Sequence, residues 1–408
     1  MYNFLKKMKQ PQGRMQGKKK SVKYTGYWVS KWSGFLYDKS WTSVFHITRA
    51  LSLLIFAIFH TLLAAKFKEN IDILEKMLLV NFGILYINSA LMVFPLLHNS
   101  KNMISFCSVI RMEFNKPIIN LSLKQLAVTE YTRRYVRQFS RKVACILYSS
   151  LLYNFMRRFI FEGFSIKVLP INGWLPFEIN TWLRYSAVFI LQTFVSINVI
   201  TVHIGFLIVF VTHSKFLCEQ SEILSLHLQE SFENNFPTVS IGLYERNVER
   251  AKYINSRIKT SVQLHINLLK YYNLFQETYS MFLFIFALST GAMICTVVYV
   301  ITDPTSTLVQ SITCFGTLFL PEVFIIGIYC WFGQEVTNKY ECIQNAAYST
   351  PWYTQPVSTQ RLLLNLLTIC QRERIVMAGG LQQFSLLGFS ELLQASFSYF
   401  NVLNAMRQ

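Results

Sequence analysis

Near the end of the chain, Glu391, Gln394, Ser398, Val402 and Met406 follow one another at steps of three and four residues. On a helix that spacing puts all five on one face. Read toward the C-terminus, the face is acidic, then polar, then apolar. A ring of carboxylates favours cations, and an apolar constriction closes a water-filled passage by dewetting. The chemistry offered is ion passage. The same stripe also suits packing against neighbouring helices, with Glu391 in an interfacial polar cluster, and the residues alone leave that reading open. Other chemistry finds little support. The eight cysteines contain no CxxC pair and no zinc spacing, so they read as buried or reduced thiols. His60, His98, His203 and His213 are scattered over different apolar stretches, which argues against a metal site, and nothing calls for a cofactor. Glu373 and Glu391 stand in no paired constellation, and no Ser-His-Asp or P-loop pattern occurs, so an enzyme is not expected.

The elements that must hold the stripe are apolar. Of 408 residues, 52% are hydrophobic and only 15% charged, where a soluble domain carries about 25% charged residues. That deficit points to a bilayer as solvent. The net charge of +18 comes with too much apolar sequence for a nucleic-acid partner and suits anionic membrane lipid instead. Seven stretches are long enough to span about 30 Å of hydrocarbon: 43–65, 74–97, 142–163, 183–212, 273–302, 307–331 and 381–406. The third is weakest, because Arg157 and Arg158 near its end must snorkel or line a watery vestibule. The segments 1–42, 98–141, 213–272 and 332–380 carry most of the 39 Lys and Arg, which predicts a cytosolic N-terminus and an extracellular C-terminus. The basic start lacks an apolar run and is no cleavable signal. The sequon at Asn120 falls on the cytosolic side and should stay unmodified. Apolar residues at helical spacing in 213–272, broken at Asn234-Asn235-Phe236-Pro237, predict two cytosolic helices extending the fourth and fifth spans. The 332–380 segment has an apolar helical face too short to cross, and reads as a cytosolic anchor, formed with the 213–272 helices, where subunits meet; the alternative is a core within a single subunit. No repeat or inverted symmetry is evident, and the spans read as free of charged or Gly/Pro-broken midplane segments, which disfavours a transporter.

Three passages carry a resemblance. They are Tyr329-Cys330-Trp331-Phe332-Gly333-Gln334-Glu335-Val336, then Ala346-Ala347-Tyr348-Ser349-Thr350-Pro351-Trp352-Tyr353, and then Met377-Ala378-Gly379-Gly380 through Phe384-Ser385-Leu386 to Ser398-Tyr399-Phe400. In order and spacing they resemble the C-terminal signature of insect odorant receptors. The resemblance implies an odorant-gated, non-selective cation channel of four subunits around one pore. It also implies a plasma-membrane location on a sensory dendrite or cilium. Most members are tuning subunits that pair with the co-receptor Orco. Orco has a longer loop between its fourth and fifth spans and carries Gln where this chain has Ala405, so the chain is similar to a tuning subunit. Gustatory relatives keep a Gln-Phe tail that Ala405-Met406 lacks. A gustatory-type channel and a pore-less seven-helix signalling receptor remain as alternatives, the latter disfavoured by the reversed topology.

The family places its two gate positions at Val402 and Met406, with Arg407 next to tune conductance. It also brings the outer halves of spans two, three, four and six together as a ligand pocket. That implies Phe82 and Tyr86, then Ser150, Tyr153, Met156 and Phe159, then Tyr185, Phe189, Gln192 and Thr193, then Cys314, Phe315 and Leu318. The set is aromatic and aliphatic with few hydroxyls, one amide and no dominant carboxylate or amine, which suits an uncharged, apolar volatile. The alternative for each residue is a lipid-facing or core role. Cys314–Phe315 is the expected contact between pocket and last helix.

Overall fold

Long runs of helix-forming and apolar residues, with few internal breakers, produce helices far longer than the hydrocarbon core requires. The computed structural model describes residues 43–58, 73–92, 121–162, 169–171, 175, 177–233, 243–302 and 308–405. In chain order the helices are α1 (Ser43–Ala57), α2 (Ile73–Leu91), α3 (Leu123–Glu162), α4 (Trp182–Glu230), α5 (Leu243–Ile301), α6 (Leu308–Tyr348), α7 (Val357–Cys370) and α8 (Leu386–Ala405). A 3-10 turn at Trp352–Thr354 precedes α7, and two short strands, β1 (Met377–Ala378) and β2 (Gln382–Gln383), precede α8. By length and composition, α4 and α5 each contain a stretch able to cross a membrane. At 1.5 Å per residue, the 59 residues of α5 extend roughly 88 Å, so much of it stands clear of any bilayer. The third span is part of a helix that starts at Leu123, so 123–141 is helical rather than loop. The predicted break at Asn234–Pro237 and the basic segment 1–42 lie outside the described residues.

α4 is the hub, packed against α3, α5 and α6. Thr181 caps it, its hydroxyl accepting from the Arg184 amide at 3.4 Å. Phe206 and Phe210 of α4 meet Phe275, Tyr279 and Phe286 of α5 and Tyr329 of α6 in one buried cluster. The ring of Phe210 stands edge-on to Tyr279 at 5.1 Å and to Tyr329 at 5.0 Å. Such pairs contribute about 0.5–1.5 kcal/mol beyond area burial. Toward the 213–230 end of α4, ion pairs join it to α6: Lys215 to Glu335 at 2.5 Å and Lys339 to Glu222 at 2.8 Å. Lys215 also lies over the Tyr135 ring of α3, 4.3 Å from its centre.

The strands form a hairpin that the sequence reading did not anticipate. Met377 pairs with Gln383 and Ala378 with Gln382. The Leu381 amide closes the turn on the Ala378 carbonyl at 3.0 Å, with Gly379 and Gly380 both at positive φ. That backbone is a type I′ turn, which suits the twist of a two-residue hairpin. Gln276 of α5 holds β1 from both sides: its amide donates to the Met377 carbonyl, and its carbonyl accepts from the Met377 amide at 3.0 Å. The Gly379 amide donates to the Ser280 hydroxyl at 2.9 Å. The hairpin thus fixes where α8 begins.

Candidate functional site

Two features stand out, a cavity between helices and a helix face left open. The cavity, about 70 Å³, lies where α2, α3, α4, α5 and α6 converge. Phe82 and Tyr86 of α2 form one wall, the two rings stacked at 6.3 Å. Ser150 and Asn154 of α3 form the second, and Ser196, Val199 and His203 of α4 the third. Met293 of α5 and Pro321-Glu322 of α6 close it. Helical spacing explains the arrangement: Phe82 and Tyr86, Ser150 and Asn154, and Val199 and His203 are each four apart and so share a face.

Of the residues expected to bind ligand, Phe82, Tyr86 and Ser150 line this cavity. Others do not. Tyr153 and Met156 stand on the exposed surface of α3 and do not line the cavity, although Tyr153 falls only three residues after Ser150. Tyr185 and Phe189 continue a chain of ring contacts from Trp182, along the outer end of α4. Gln192 is buried, but its amide is spent on the backbone of Ile171, donating at 2.9 Å and accepting at 3.1 Å. It pins the segment before α4 to that helix. Thr193 returns its hydroxyl to the Phe189 carbonyl at 2.8 Å. The side chains of Phe159, Cys314, Phe315 and Leu318, and the whole of Met406, lie outside the described residues, as does the expected pocket-to-helix contact at Cys314–Phe315.

One carboxylate is part of this cavity's lining. Glu322 lines the cavity and is only 6% exposed, and it follows Pro321 inside α6. The spans are therefore not free of charged or Pro-broken segments. The signal was legible as Leu320-Pro321-Glu322-Val323 in the middle of an apolar run, since an ionisable residue there is expensive and marks a functional site. Proline lacks the N–H that would serve the carbonyl one turn back, which loosens the helix beside the carboxylate. His203, 1% exposed, was noted only as a poor metal ligand, yet it faces the same space. Among the described residues no cluster of groups suited to a metal ion occurs.

The second feature is α8. One face, through Ser385, Phe389, Ser396 and Phe400, packs on α5 and α6. The Cys295 thiol donates to the Ser396 carbonyl at 3.2 Å, and Phe389 lies over Gly327. The other face carries Glu391, Gln394, Ser398 and Val402, all exposed, with Val402 at 57%. Among the described residues, Glu391, Gln394, Ser398 and Val402 are therefore left uncovered by neighbouring helices. Glu391 makes no ion pair among the described residues.

Known proteins share this organisation. The family model described as 7tm Odorant receptor matches residues 121–397. Odorant receptor 10 of Aedes albopictus is 24% identical over 54% of this chain and 55% of its own length. Odorant receptor Or2 of Anopheles gambiae is 23% identical over 54% of this chain and 56% of its own length. The match thus spans little more than half the length of these curated relatives. In three dimensions the chain is similar to the insect olfactory receptor OR5 from Machilis hrabei, solved in complex with eugenol. The TM-score is 0.75, at 12% identity, over 93% of this chain and 96% of the other. The fold is that of an all-α, seven-helix membrane protein, and the chain belongs to the odorant receptor family.

Proposed function

We propose that this chain is a tuning subunit of an odorant-gated, non-selective cation channel in the plasma membrane of sensory neurons, assembled with Orco into a tetramer. A small volatile binds between α2, α3, α4 and α6, and α8 walls the pore. The observation that carries this reading is the two-faced α8. The described residues of its own chain cover one face and leave Glu391, Gln394, Ser398 and Val402 exposed, which suits contact with something outside the subunit. A lipid-facing helix has no use for Glu391, Gln394 and Ser398, because polar groups in hydrocarbon are costly. A water-filled passage shared with other subunits suits them, with Glu391 favouring cations and Val402, followed by Met406, closing the conduit when dry. Support for an intramembrane ligand site comes from the cavity between the helices and from the eugenol complex of the Machilis hrabei receptor. The basic segments keep the N-terminus cytosolic and the end of α8 outside.

The decisive experiment is co-expression with Orco, with current recorded against a panel of volatiles. Odorant-evoked cation current that requires this chain supports the reading. Surface-expressed protein that signals with no conductance change, even when Orco is present, overturns it.

A further inference from the structure

Three side chains lining the cavity have a buried polar atom without a partner among the described residues, Tyr86 Oη, His203 Nε2 and Glu322 Oε2, and the geometry of the last two fixes what is missing there. His203 places Nδ1 3.0 Å from the Val199 carbonyl. A carbonyl only accepts, so Nδ1 carries the proton. The Ser89 hydroxyl, 3.5 Å from Nδ1, gives its own proton to the Leu85 carbonyl at 2.8 Å, so toward the imidazole it offers only lone pairs. The second nitrogen, Nε2, is then a bare acceptor, and it has no partner among the described residues. Glu322 Oε2 is likewise buried without a partner. No lysine or arginine pairs with Glu322 among the described residues. Buried polar atoms are nearly always satisfied, and an exception in a cavity points to a missing group. For His203 Nε2, and for Glu322 as a carboxylate, the missing partner is a donor, while the Tyr86 hydroxyl can donate or accept. The remaining walls are mainly aromatic and aliphatic (Phe82, Leu85, Val199, Ile200, Met293).

We infer that this cavity selects small volatiles carrying a hydrogen-bond donor head, an amine or a hydroxyl, on an apolar body, with the head held between Glu322 and His203. The inference rests on the cavity being the ligand site proposed above and narrows the ligand class. A site built to receive a donor rejects an isostere that lacks one, because its own polar atoms stay unpaired. An ether or ester of the same size fills the volume and leaves both groups unserved.

The test compares pentylamine, pentanol and butyl methyl ether, and in parallel benzylamine, benzyl alcohol and anisole, on cells expressing this chain with Orco. Surface biotinylation controls for folding. The amine and alcohol should be at least tenfold more potent than the matched ether. Glu322→Leu should remove that gap by lowering the donors and leaving the ether unchanged. Glu322→Gln keeps a neutral acceptor and serves if the leucine variant fails to reach the surface. With it the alcohol should hold its potency and the amine should fall at least tenfold. Donors no more potent than ethers, Glu322 variants that weaken all probes alike, or silence of all six probes would overturn the inference. Val199→Trp separates the two levels of failure. If it abolishes every odorant response while donors do not outrank ethers, only the donor claim falls. If it leaves all responses intact, the cavity is not the ligand site and the wider reading falls with it.

Discussion

At Gly379 two demands coincide. Its φ of +58° lies in the left-handed region, and a Cβ there would come 2.9 Å from the Phe284 ring. Gly380, at φ +74°, has nothing within 4 Å of the same position. Asparagine tolerates left-handed backbone through its short polar side chain. Gly380→Asn should therefore cost only a few tenths of a kcal/mol, whereas Gly379→Asn must also displace Phe284 and should cost about 1–3 kcal/mol. Thermal melting of the solubilised receptor measures both, and equal shifts would refute the distinction. Gly333 is tighter still: a Cβ would lie 2.0 Å from the Phe384 carbonyl oxygen, which is backbone and has little room to retreat. These glycines are visible in the sequence as parts of motifs, but their reason is not, because Phe284 and Phe384 approach them only in three dimensions. A buried histidine makes a second case at this scale. Burial, and then the charge of Arg374, lower the His265 pKa to about 4, with the ring hydrogen-bonded to Tyr340 at 2.9 Å. The unfolded chain takes up its proton near pH 6.5, the folded chain only near 4, so stability present above 6.5 is lost as pH falls through that window. His265→Gln should flatten the decline in melting temperature between pH 6.5 and 4. A slope identical to wild type would show that His265 does not drive it.

For α8 the useful quantity is rotation. Spacing alone puts Glu391, Gln394, Ser398 and Val402 on one face, but a face can point anywhere; contacts through Phe389, Ser396 and Phe400 point it away from α5 and α6. Cysteines placed at 394, 398 and 402 should react with a small water-soluble thiol reagent and alter current, while cysteines at 396 and 400 should not. Reaction at all five positions, or only at 396 and 400, would rotate the helix and remove it from the pore wall. Glu391→Gln should lower divalent relative to monovalent permeability, read from reversal potentials. Helix identity was largely legible, because hydropathy reports burial in apolar surroundings. Helix extent was not: α3 starts at Leu123, and α6 runs from its span to Tyr348 without a break, since polar helical turns leave no hydropathy signal. The cavity was half legible. Phe82, Tyr86 and Ser150 follow from the family resemblance together with their helical spacing, whereas Glu322 stands among aliphatic residues, Leu320 and Val323, where spacing gives no sign that it turns toward the same space. Gln192 was included because an amide near a pocket looks available until the backbone of Ile171 claims it.

Across the whole molecule, exposed apolar side chains run along most of the long helices, and one set of them lies at the end built from α7 and the C-terminal part of α6. Tyr348, Tyr353, Val357 and Leu364 are all exposed there, on helices that also carry Lys339 and Arg361. Contiguous exposed apolar groups on a water-facing surface mark an interaction site. The opposite face of α7, through Leu363, Leu366 and Cys370, is already packed on its own chain, so the helix is supported from within and free to dock from without. If subunits meet here, assembly and monomer stability separate cleanly. Leu364→Arg puts a charge on the exposed face and touches nothing buried. It should leave the melting temperature of the monomer within about 1 °C, consistent with the small effects of surface substitutions. It should also weaken co-purification with Orco roughly 5–30-fold, as loss of an interface anchor worth about 1–2 kcal/mol requires. Leu363→Arg, one residue away on the buried side, should instead lower melting temperature and surface expression together. If Leu364→Arg co-purifies like wild type, the exposed face of α7 is not where this chain meets Orco, and the proposed assembly must be held by other surfaces.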